Sequence, residues 1–195
     1  MDIAIDHGFT DDERDRVAAL YWQAFRRKLR PAFASDERGR VILAASLRAD
    51  RTLVARTGGD VVGMCGYRQN GAGAASITWR MLRGHLSWIA AARAALILGV
   101  LARSDVDGVL VLDGICVDGA QRGRGTGSAL LEAAADHARV QGLRAVRLAV
   151  VDTNPRAEAQ YRRRGFVPID SGSMGALARV YGFARYTTME RRLDG

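Results

Sequence analysis

The chain has 195 residues, of which 48% are hydrophobic and 26% charged, and this size and composition are typical of one soluble globular domain. The net charge of +8 favours an anionic ligand, but it does not decide between a nucleotide cofactor, a nucleic acid and a membrane surface. The two cysteines, Cys65 and Cys116, lie in apolar runs, which excludes a disulfide framework and predicts reduced core thiols. The first residues lack the basic-then-apolar order of a signal peptide, so we expect a cytoplasmic protein.

The N-terminal part begins with a predicted strand over residues 3–6, and two helices follow it. Thr10 and Glu13 have the spacing of a capping box, and the helix after them should end before Pro31. A second helix is predicted to begin at Ser35. The apolar faces of the two helices are predicted to contain Val17, Leu20, Tyr21 and Ala24, and Val41, Ile42, Ala45 and Leu47.

The first helix ends in the basic and aromatic sequence FRRKLRPAF, which contains Lys28, the only lysine of the chain. We interpret this sequence as a solvated helix end with two docked rings, in preference to a nucleic-acid site. The segments 52–56 and 61–68 are then predicted to be antiparallel strands, because Gly58, Gly59 and Asp60 between them are typical of a hairpin turn.

The segment from about 76 to 103 is predicted to be an inserted helix or helix pair that packs over the core or forms a dimer contact. Its apolar run is interrupted by Arg93 and closed by Arg103. This leaves fewer residues than the roughly 20 that a bilayer requires, so we expect no membrane span. His85 in this segment is interpreted as a surface or packed imidazole. His7 and His137 are too far away in the sequence to complete a metal-ligand pattern, and we expect no metal site.

The stretch from Val109 to Ser128 is a predicted buried strand that stops at the loop QRGRGTGS and enters a helix. Its three glycines allow backbone N–H groups to converge, and the start of the helix adds partial positive charge behind them. A loop of this composition fits a phosphate-bearing ligand. A flexible basic turn fits the loop alone equally well, because short glycine patterns occur by chance.

Another strand is predicted over 145–151, after a helix that ends at Gly142, and the two strands on either side of that helix should be parallel. Asn154 and Pro155 then begin a helix that Gly165 ends. The segment FVPI is predicted to be a strand, and the final strand ARYTTMERRL is predicted to close the sheet edge.

Two motifs in this half of the chain resemble those of the GNAT superfamily of acyl-CoA-dependent N-acyltransferases. Arg122, Gly125 and Gly127 match its acyl-CoA-binding signature of Arg or Gln, two residues, Gly, one residue, then Gly or Ala. About thirty residues later, a second motif matches in type and spacing through Asn154, Ala157, Tyr161 and the pair Gly165-Phe166. The resemblance covers residues 109–168. It implies one α/β (α+β) domain over residues 1–195, with a mixed, mainly antiparallel sheet that is split at the central strand and flanked by helices.

The resemblance also implies a site for acetyl-CoA in that split. The pantetheine arm would pair with main-chain groups of Ile115, Cys116 and Val117. The pyrophosphate would lie on the N–H groups of the glycine loop, which consists of Arg122, Gly123, Arg124, Gly125, Thr126, Gly127 and Ser128. Asn154 would bind the cofactor or a water molecule, and the helix with Ala157 and Tyr161 would line the thioester end.

The implied chemistry is direct attack of an amine on the thioester, which requires a proton acceptor for the amine and a proton donor for the thiolate. Tyr161 fits the donor, although an aromatic residue that only packs beside the cofactor fits the same position. Asp113 is the candidate base, because strand alternation predicts that it shares a face with Ile115 and Val117. Asp118 is a weaker candidate base. Cys116 as an acylated nucleophile is disfavoured, because no histidine signature lies near it.

The sequence therefore predicts an N-acetyltransferase that acts on a primary amine of a small molecule or a protein. Two alternatives stay open: a non-catalytic module that senses acyl-CoA, and an arginine-rich protein that associates with nucleic acid or a membrane. We disfavour the nucleic-acid and membrane roles, and we expect a homodimer through the inserted helix. The acceptor depends on regions without a recognisable motif, among them the C-terminal loop over 171–182.

Overall fold

Seven strands form one mixed sheet in the order β1-β2-β3-β4-β5-β7-β6. The computed structural model describes residues 2–101 and 104–193. The strands are β1 (Ala4–His7), β2 (Thr52–Thr57), β3 (Asp60–Arg68), β4 (Val109–Val117), β5 (Ala145–Val151), β6 (Val167–Ser173) and β7 (Arg185–Arg192). Of the neighbouring strand pairs, β4 and β5 are parallel and the others are antiparallel. The predicted mixed, mainly antiparallel sheet is confirmed, and so is the hairpin of β2 and β3.

Helices cover both faces of this sheet. They are α1 (Arg14–Leu29), α2 (Asp36–Ser46), α3 (Trp79–His85), α4 (Trp88–Val100), α5 (Thr126–Val140), α6 (Pro155–Arg163) and α7 (Ala178–Tyr181). Helices α1 to α4 share one buried cluster, to which Met64 of β3 and Cys116 of β4 contribute from the sheet. Helix α5 lies in a second cluster, to which Cys65 and Leu112 contribute. The sheet therefore separates two cores, because alternate residues of its strands point to opposite faces.

The contact between α1 and α2 differs from the predicted one. Ala24, Val41 and Ala45 are exposed, whereas Trp22 is buried. The ring of Trp22 lies over Gly39, where a Cβ would overlap it. Helix α2 therefore turns the face that contains Gly39 towards α1. The predicted apolar faces are wrong at three positions because one tryptophan ring sets the contact.

Helix α1 begins at Arg14, after a turn that starts at Thr10. The Thr10 N–H donates to the Glu13 carboxylate at 2.9 Å, which is one half of the predicted capping box. Arg56 of β2 donates to both oxygens of the same carboxylate, at 2.8 and 2.6 Å. The hydrogen bond from Arg56 is the main cause that lowers the pKa of Glu13 to about 2. The start of α1 is thus tied to the sheet by a two-point ion pair.

The inserted segment forms the helix pair α3 and α4, as predicted; its residues 102–103, with the expected closing Arg103, lie outside the described part of the chain. The pair packs on the α1 side of the sheet through buried Leu82, Leu86, Ala91 and Ala94. None of the helices described is long and apolar enough to cross a membrane. Helix α4 also exposes Ile89 and Leu96, and a homodimer through this surface stays a prediction.

The C-terminal strand β7 lies between β5 and β6, so the prediction that it closes the sheet edge is wrong. The edge is β6, which extends from Val167 to Ser173. The charged side chains of β7 are typical of an edge strand, but two of them form ion pairs with neighbouring elements. Arg147 of β5 donates to Glu190 of β7 at 2.6 Å, and Arg191 of β7 donates to Glu132 of α5 at 2.9 Å. Much of the predicted C-terminal loop is also ordered, as the end of β6 and as α7.

Two histidines that are distant in the sequence meet beside β3. The ring centroids of His7 and His137 are 5.3 Å apart, and His7 Nε2 lies 2.5 Å from the Tyr67 hydroxyl. Burial lowers the pKa of His137. The large separation of His7 and His137 in the sequence therefore did not predict that their rings meet. Within residues 2–101 and 104–193, no group of three or more His, Cys, Asp or Glu side chains is arranged to hold a metal ion.

Candidate active site

Strands β4 and β5 separate after three residue pairs, which join 109–111 to 145–147. Beyond these pairs, the edge of β4 that faces away from β3 has no strand paired with it among the described residues. A cleft of about 70 Å³ opens there, lined by residues 112–115 of β4 and 148–151 of β5. The predicted split of the sheet at the central strand is therefore confirmed.

Ile115, Cys116 and Val117 lie in the part of β4 beyond its pairing with β5, and Ile115 lines the cleft. The side chains of Ile115 and Val117 pack in the core of α5, whereas Cys116 is buried in the core of α1. Burial raises the pKa of the Cys116 thiol to about 12, so the thiol is protonated at neutral pH. The buried thiol is a poor nucleophile, and the groups that this segment offers to the cleft are main-chain N–H and C=O groups.

A β-bulge interrupts β4 at the end of the parallel pairing. Gly66 of β3 pairs with Gly114, and the next residue, Tyr67, pairs with Leu112. Asp113 is the extra residue between these two pairs. One extra residue of this kind bends the strand and shifts its alternation by one position.

The bulge places Asp113 on the α1 side of the sheet. A Cβ built at Gly66 would lie 3.8 Å from both the Asp113 Cβ and Met64 Cε, and Met64 belongs to the α1 core. Ile115 and Val117 belong to the opposite core. The prediction that Asp113 shares a face with them is therefore wrong, because simple alternation does not pass through a bulge.

The Asp113 carboxylate is held by the loop after β3. Its Oδ2 accepts a hydrogen bond from the Ala74 N–H at 2.9 Å. Gly73 approaches so closely that a Cβ there would lie 2.5 Å from the same oxygen. These contacts hold the Asp113 carboxylate in a fixed position at the wall of the cleft.

The glycine loop enters α5 through two residues in the left-handed region. Gly123 has φ +84° and Gly125 has φ +90°, and Gly125 is the residue just before the helix. Side chains rarely adopt this conformation, so the loop requires glycine at both positions. Gly127 lies close to α6, because a Cβ there would lie 2.9 Å from Nε2 at the end of the Gln160 side chain.

Five N–H groups of the loop have no backbone acceptor within the described ranges, and they are those of Gly123, Gly125, Thr126, Gly127 and Ser128. The N–H groups of Arg122 and Arg124 instead close turns, each at 3.4 Å. Both arginine residues are exposed. The loop therefore presents unsatisfied donors, guanidinium charge and a helix N-terminus together, which suits an anionic group such as a pyrophosphate.

Asp118 lies before the loop and is already engaged. Its carboxylate accepts from Arg16 at 2.6 Å and from the Ala120 N–H at 2.9 Å. These contacts, first the one with Arg16, hold the pKa of Asp118 below its usual value. The carboxylate supports the loop, and its role as a weaker candidate base stays a prediction.

Helix α6 contributes the second motif to the cleft. Asn154 caps the helix by accepting from the Ala157 N–H at 3.2 Å, and both Asn154 and Tyr161 line the cleft. Ala157 is partly buried against the α5 core. The ring centroids of Tyr161 and Phe166 lie 6.0 Å apart. The Tyr161 side chain therefore packs against Phe166 and also lines the cleft. The cap of Asn154 is a structural role that the sequence motif did not reveal.

A second, larger cavity of about 390 Å³ lies on the α1 side of the sheet. Phe25, Lys28 and Asp113 line both this cavity and the cleft. The other lining residues belong to α1 to α4, β3 and neighbouring loops; they are Tyr21, Leu29, Leu43, Arg68, Ala75, Ile77, Trp79, Leu82, Ala95, Leu98, Gly99 and Leu101. The sequence did not reveal this cavity, because its walls come from six separate stretches of the chain.

Comparison with known proteins agrees with this geometry. The family model described as "Acetyltransferase (GNAT) family" matches residues 14–166. The chain belongs to the GNAT acetyltransferase family. This match covers both the glycine loop and the motif of α6.

Solved structures show the same fold at low sequence identity. An acetyltransferase crystal structure has a TM-score of 0.64 at 21% identity, covering 98% of this chain and 100% of that chain. Ard1 from Thermoplasma volcanium has a TM-score of 0.63 at 17% identity, covering 100% of both chains. A GCN5-related N-acetyltransferase from Kribbella flavida has a TM-score of 0.61 at 21% identity, covering 98% of both chains. A comparison with curated protein sequences found no significant match.

Proposed function

We propose that this protein transfers an acetyl group from acetyl-CoA to a primary amine by direct attack in a ternary complex. One observation carries the proposal: the cleft beside β4 and the larger cavity meet at Phe25, Lys28 and Asp113. A thioester in the cleft and an amine in the cavity would therefore approach each other from two sides. A binding module without turnover has no need of this second compartment.

The residues of the cleft fit the parts of acetyl-CoA. The unsatisfied N–H groups of the glycine loop suit its pyrophosphate, and Arg122 and Arg124 add charge beside them. The open edge of β4 at Ile115, Cys116 and Val117 suits the amide groups of its pantetheine arm. Acetyl-CoA, when bound, supplies the acetyl group as an activated thioester.

Asp113 is the proposed proton acceptor for the amine. The Ala74 N–H fixes one carboxylate oxygen, so the group has a defined position between the two compartments. A carboxylate there stabilises an incoming ammonium ion and receives its proton, directly or through water. The bulge is what turns this carboxylate towards the cavity instead of the α5 core.

Tyr161 is the proposed proton donor for the departing thiolate. It lies on the same cleft as Asp113 but on its opposite wall, on α6. Its ring centroid lies 6.0 Å from that of Phe166, so the side chain is packed at the wall of the cleft. We also infer a cytoplasmic location, which the two free, buried cysteines support.

The test is acetyl transfer itself, measured as free CoA release and acetylated product with a panel of primary amines. Asp113→Asn is the informative variant, because an asparagine oxygen still accepts from the Ala74 N–H but takes no proton. We expect kcat to fall about 100-fold or more, with the binding of acetyl-CoA unchanged. Undiminished transfer by Asp113→Asn would remove Asp113 from the mechanism. Absence of transfer to every amine, despite binding of acetyl-CoA, would instead favour the sensor.

A further inference from the structure

The larger cavity has the dimensions of a small-molecule site. Its volume of about 390 Å³ lies within the range of roughly 300–1,000 Å³ that such sites have. Its lining is mainly apolar, and it includes the three aromatic rings of Tyr21, Phe25 and Trp79. Tyr21 and Phe25 pack with ring centroids 4.7 Å apart. Walls of this kind favour a flat or branched apolar group over a hydrated one.

Two of the charged side chains of this cavity, those of Lys28 and Asp113, also line the cleft. Asp113 is the one carboxylate among the described lining residues, and Lys28 and Arg68 are the cations. Arg68 is paired with Asp105 at 3.1 Å, and the Lys28 ammonium lies 5.2 Å from the ring centroid of Phe183. One carboxylate suits one ammonium group.

We propose that the acceptor is a primary monoamine with an apolar, ring-bearing body. This inference rests on the proposed acetyltransferase function and adds the class of acceptor to it. The amine lies towards Asp113, and the body fills the cavity between α1 and α4. Polyamines and amino sugars are disfavoured, because their additional ammonium and hydroxyl groups would lose water against apolar walls.

Two helical glycines provide a matched pair of variants. Gly99 of α4 lines the cavity, whereas Gly84 of α3 does not, and a Cβ at either position would meet no atom within 4 Å. A Cβ therefore has open space at both positions, and neither glycine has a positive φ, so a substitution strains neither backbone. Gly99→Leu reduces the space for the body of the acceptor, and Gly84→Leu controls for the change in the helix.

The experiment uses 2-phenylethylamine, ethanolamine and spermidine as probes, with full-length protein and saturating acetyl-CoA. We expect kcat/KM for 2-phenylethylamine to exceed that of both other amines by at least about tenfold. Gly99→Leu should raise KM for 2-phenylethylamine about tenfold and leave KM for acetyl-CoA unchanged. Gly84→Leu should change neither value. Preference for ethanolamine or spermidine, or equal behaviour of the two leucine variants, would overturn the inference while the acetyltransferase function stands.

Binding separates the two proposals if no probe is acetylated. Calorimetry in the presence of CoA should show 2-phenylethylamine binding to the wild-type protein and to Gly84→Leu, and much weaker binding to Gly99→Leu. This pattern without turnover would support the cavity assignment and refute the acetyltransferase. Absence of binding to the wild-type protein would refute the cavity assignment.

Discussion

The ring of Phe25 on α1 occupies the space that a Cβ would take at Gly114 on β4. Gly114 is the residue that follows the bulge at Asp113. Phe25 is also one of the residues that line both the cleft and the larger cavity. The absence of a side chain at Gly114 therefore determines the position of the Phe25 ring, which lines both compartments.

Gly114→Ala adds only one methyl group, but it should displace the Phe25 ring and so disturb the site. We expect a loss of about 1–3 kcal/mol in the free energy of unfolding, from overpacking, together with a lower kcat/KM. The double variant Gly114→Ala with Phe25→Leu relieves the overlap, so it should recover part of the stability. Denaturant unfolding of the single and double variants measures this coupling. Strictly additive effects would mean that the two residues do not compete for the same space.

Gly125→Glu should abolish the binding of acetyl-CoA by placing a carboxylate where its pyrophosphate is expected. Like charges at such a site cost several kcal/mol, so affinity should fall at least about 100-fold. Gly59→Glu in the β2–β3 hairpin is the matched control, because Gly59 has φ +91°, Gly125 has φ +90°, and neither Cβ would meet another atom within 4 Å. Calorimetry with acetyl-CoA distinguishes the variants. Equal loss in both would point to backbone strain alone.

Tyr161→Phe separates the two possible roles of this residue. Phenylalanine retains the ring contact with Phe166 but lacks the hydroxyl, so packing survives and proton donation does not. If the hydroxyl donates a proton, kcat should fall about 100-fold. The dissociation constant of acetyl-CoA should stay the same. Wild-type kinetics across the pH range would leave Tyr161 as a packing residue.

The pair of Glu13 and Arg56 should make folding stability sensitive to acid. The pKa of Glu13 is lowered to about 2 in the folded chain, chiefly by the hydrogen bond from Arg56, from an ordinary value of 4.5. A carboxyl group with a lowered folded pKa stabilises the protein above its ordinary pKa, and this contribution is lost as the pH falls from about 4.5 towards 2.

Glu13→Gln should therefore cost about 1 kcal/mol of unfolding free energy at pH 7 after allowance for solvent screening, and almost nothing near pH 2. Urea unfolding of the wild-type and variant proteins across this range gives the difference. Glu37→Gln, at an exposed position of α2, should have an effect within about 0.5 kcal/mol at every pH. A constant penalty for Glu13→Gln at all pH values would contradict the ion-pair explanation.

The cleft could be predicted from the sequence, because its signals are local. The glycine loop and the helix that begins at Asn154 each contain their residues within a dozen positions, and Tyr161 follows at helical spacing. The direction of Asp113 could not be predicted in this way. Alternation assumes a regular strand, and the bulge is visible only when β4 is paired with β3. The interior position of β7 was missed for a similar reason, because its arginines are neutralised by partners on β5 and α5.

The larger cavity lay beyond sequence reasoning altogether. Phe25 and Lys28 belong to a helix end that we interpreted as solvated, and Trp79 belongs to the inserted segment. Nothing in either stretch indicates that they face each other. Their proximity depends on how α3 packs against α2 and how α4 packs against residues 30–32 after α1, and these contacts join distant parts of the chain.

The position of Lys28 has a practical consequence for chemical labelling. All other basic side chains of the printed sequence are arginine or histidine, so the chain has a single ε-amino group. That group lies at the junction of the two compartments. Apart from the amino terminus, an amine-directed reagent therefore has one site of attachment. The extent of labelling at Lys28, measured by mass spectrometry, would report how accessible the junction of the two compartments is.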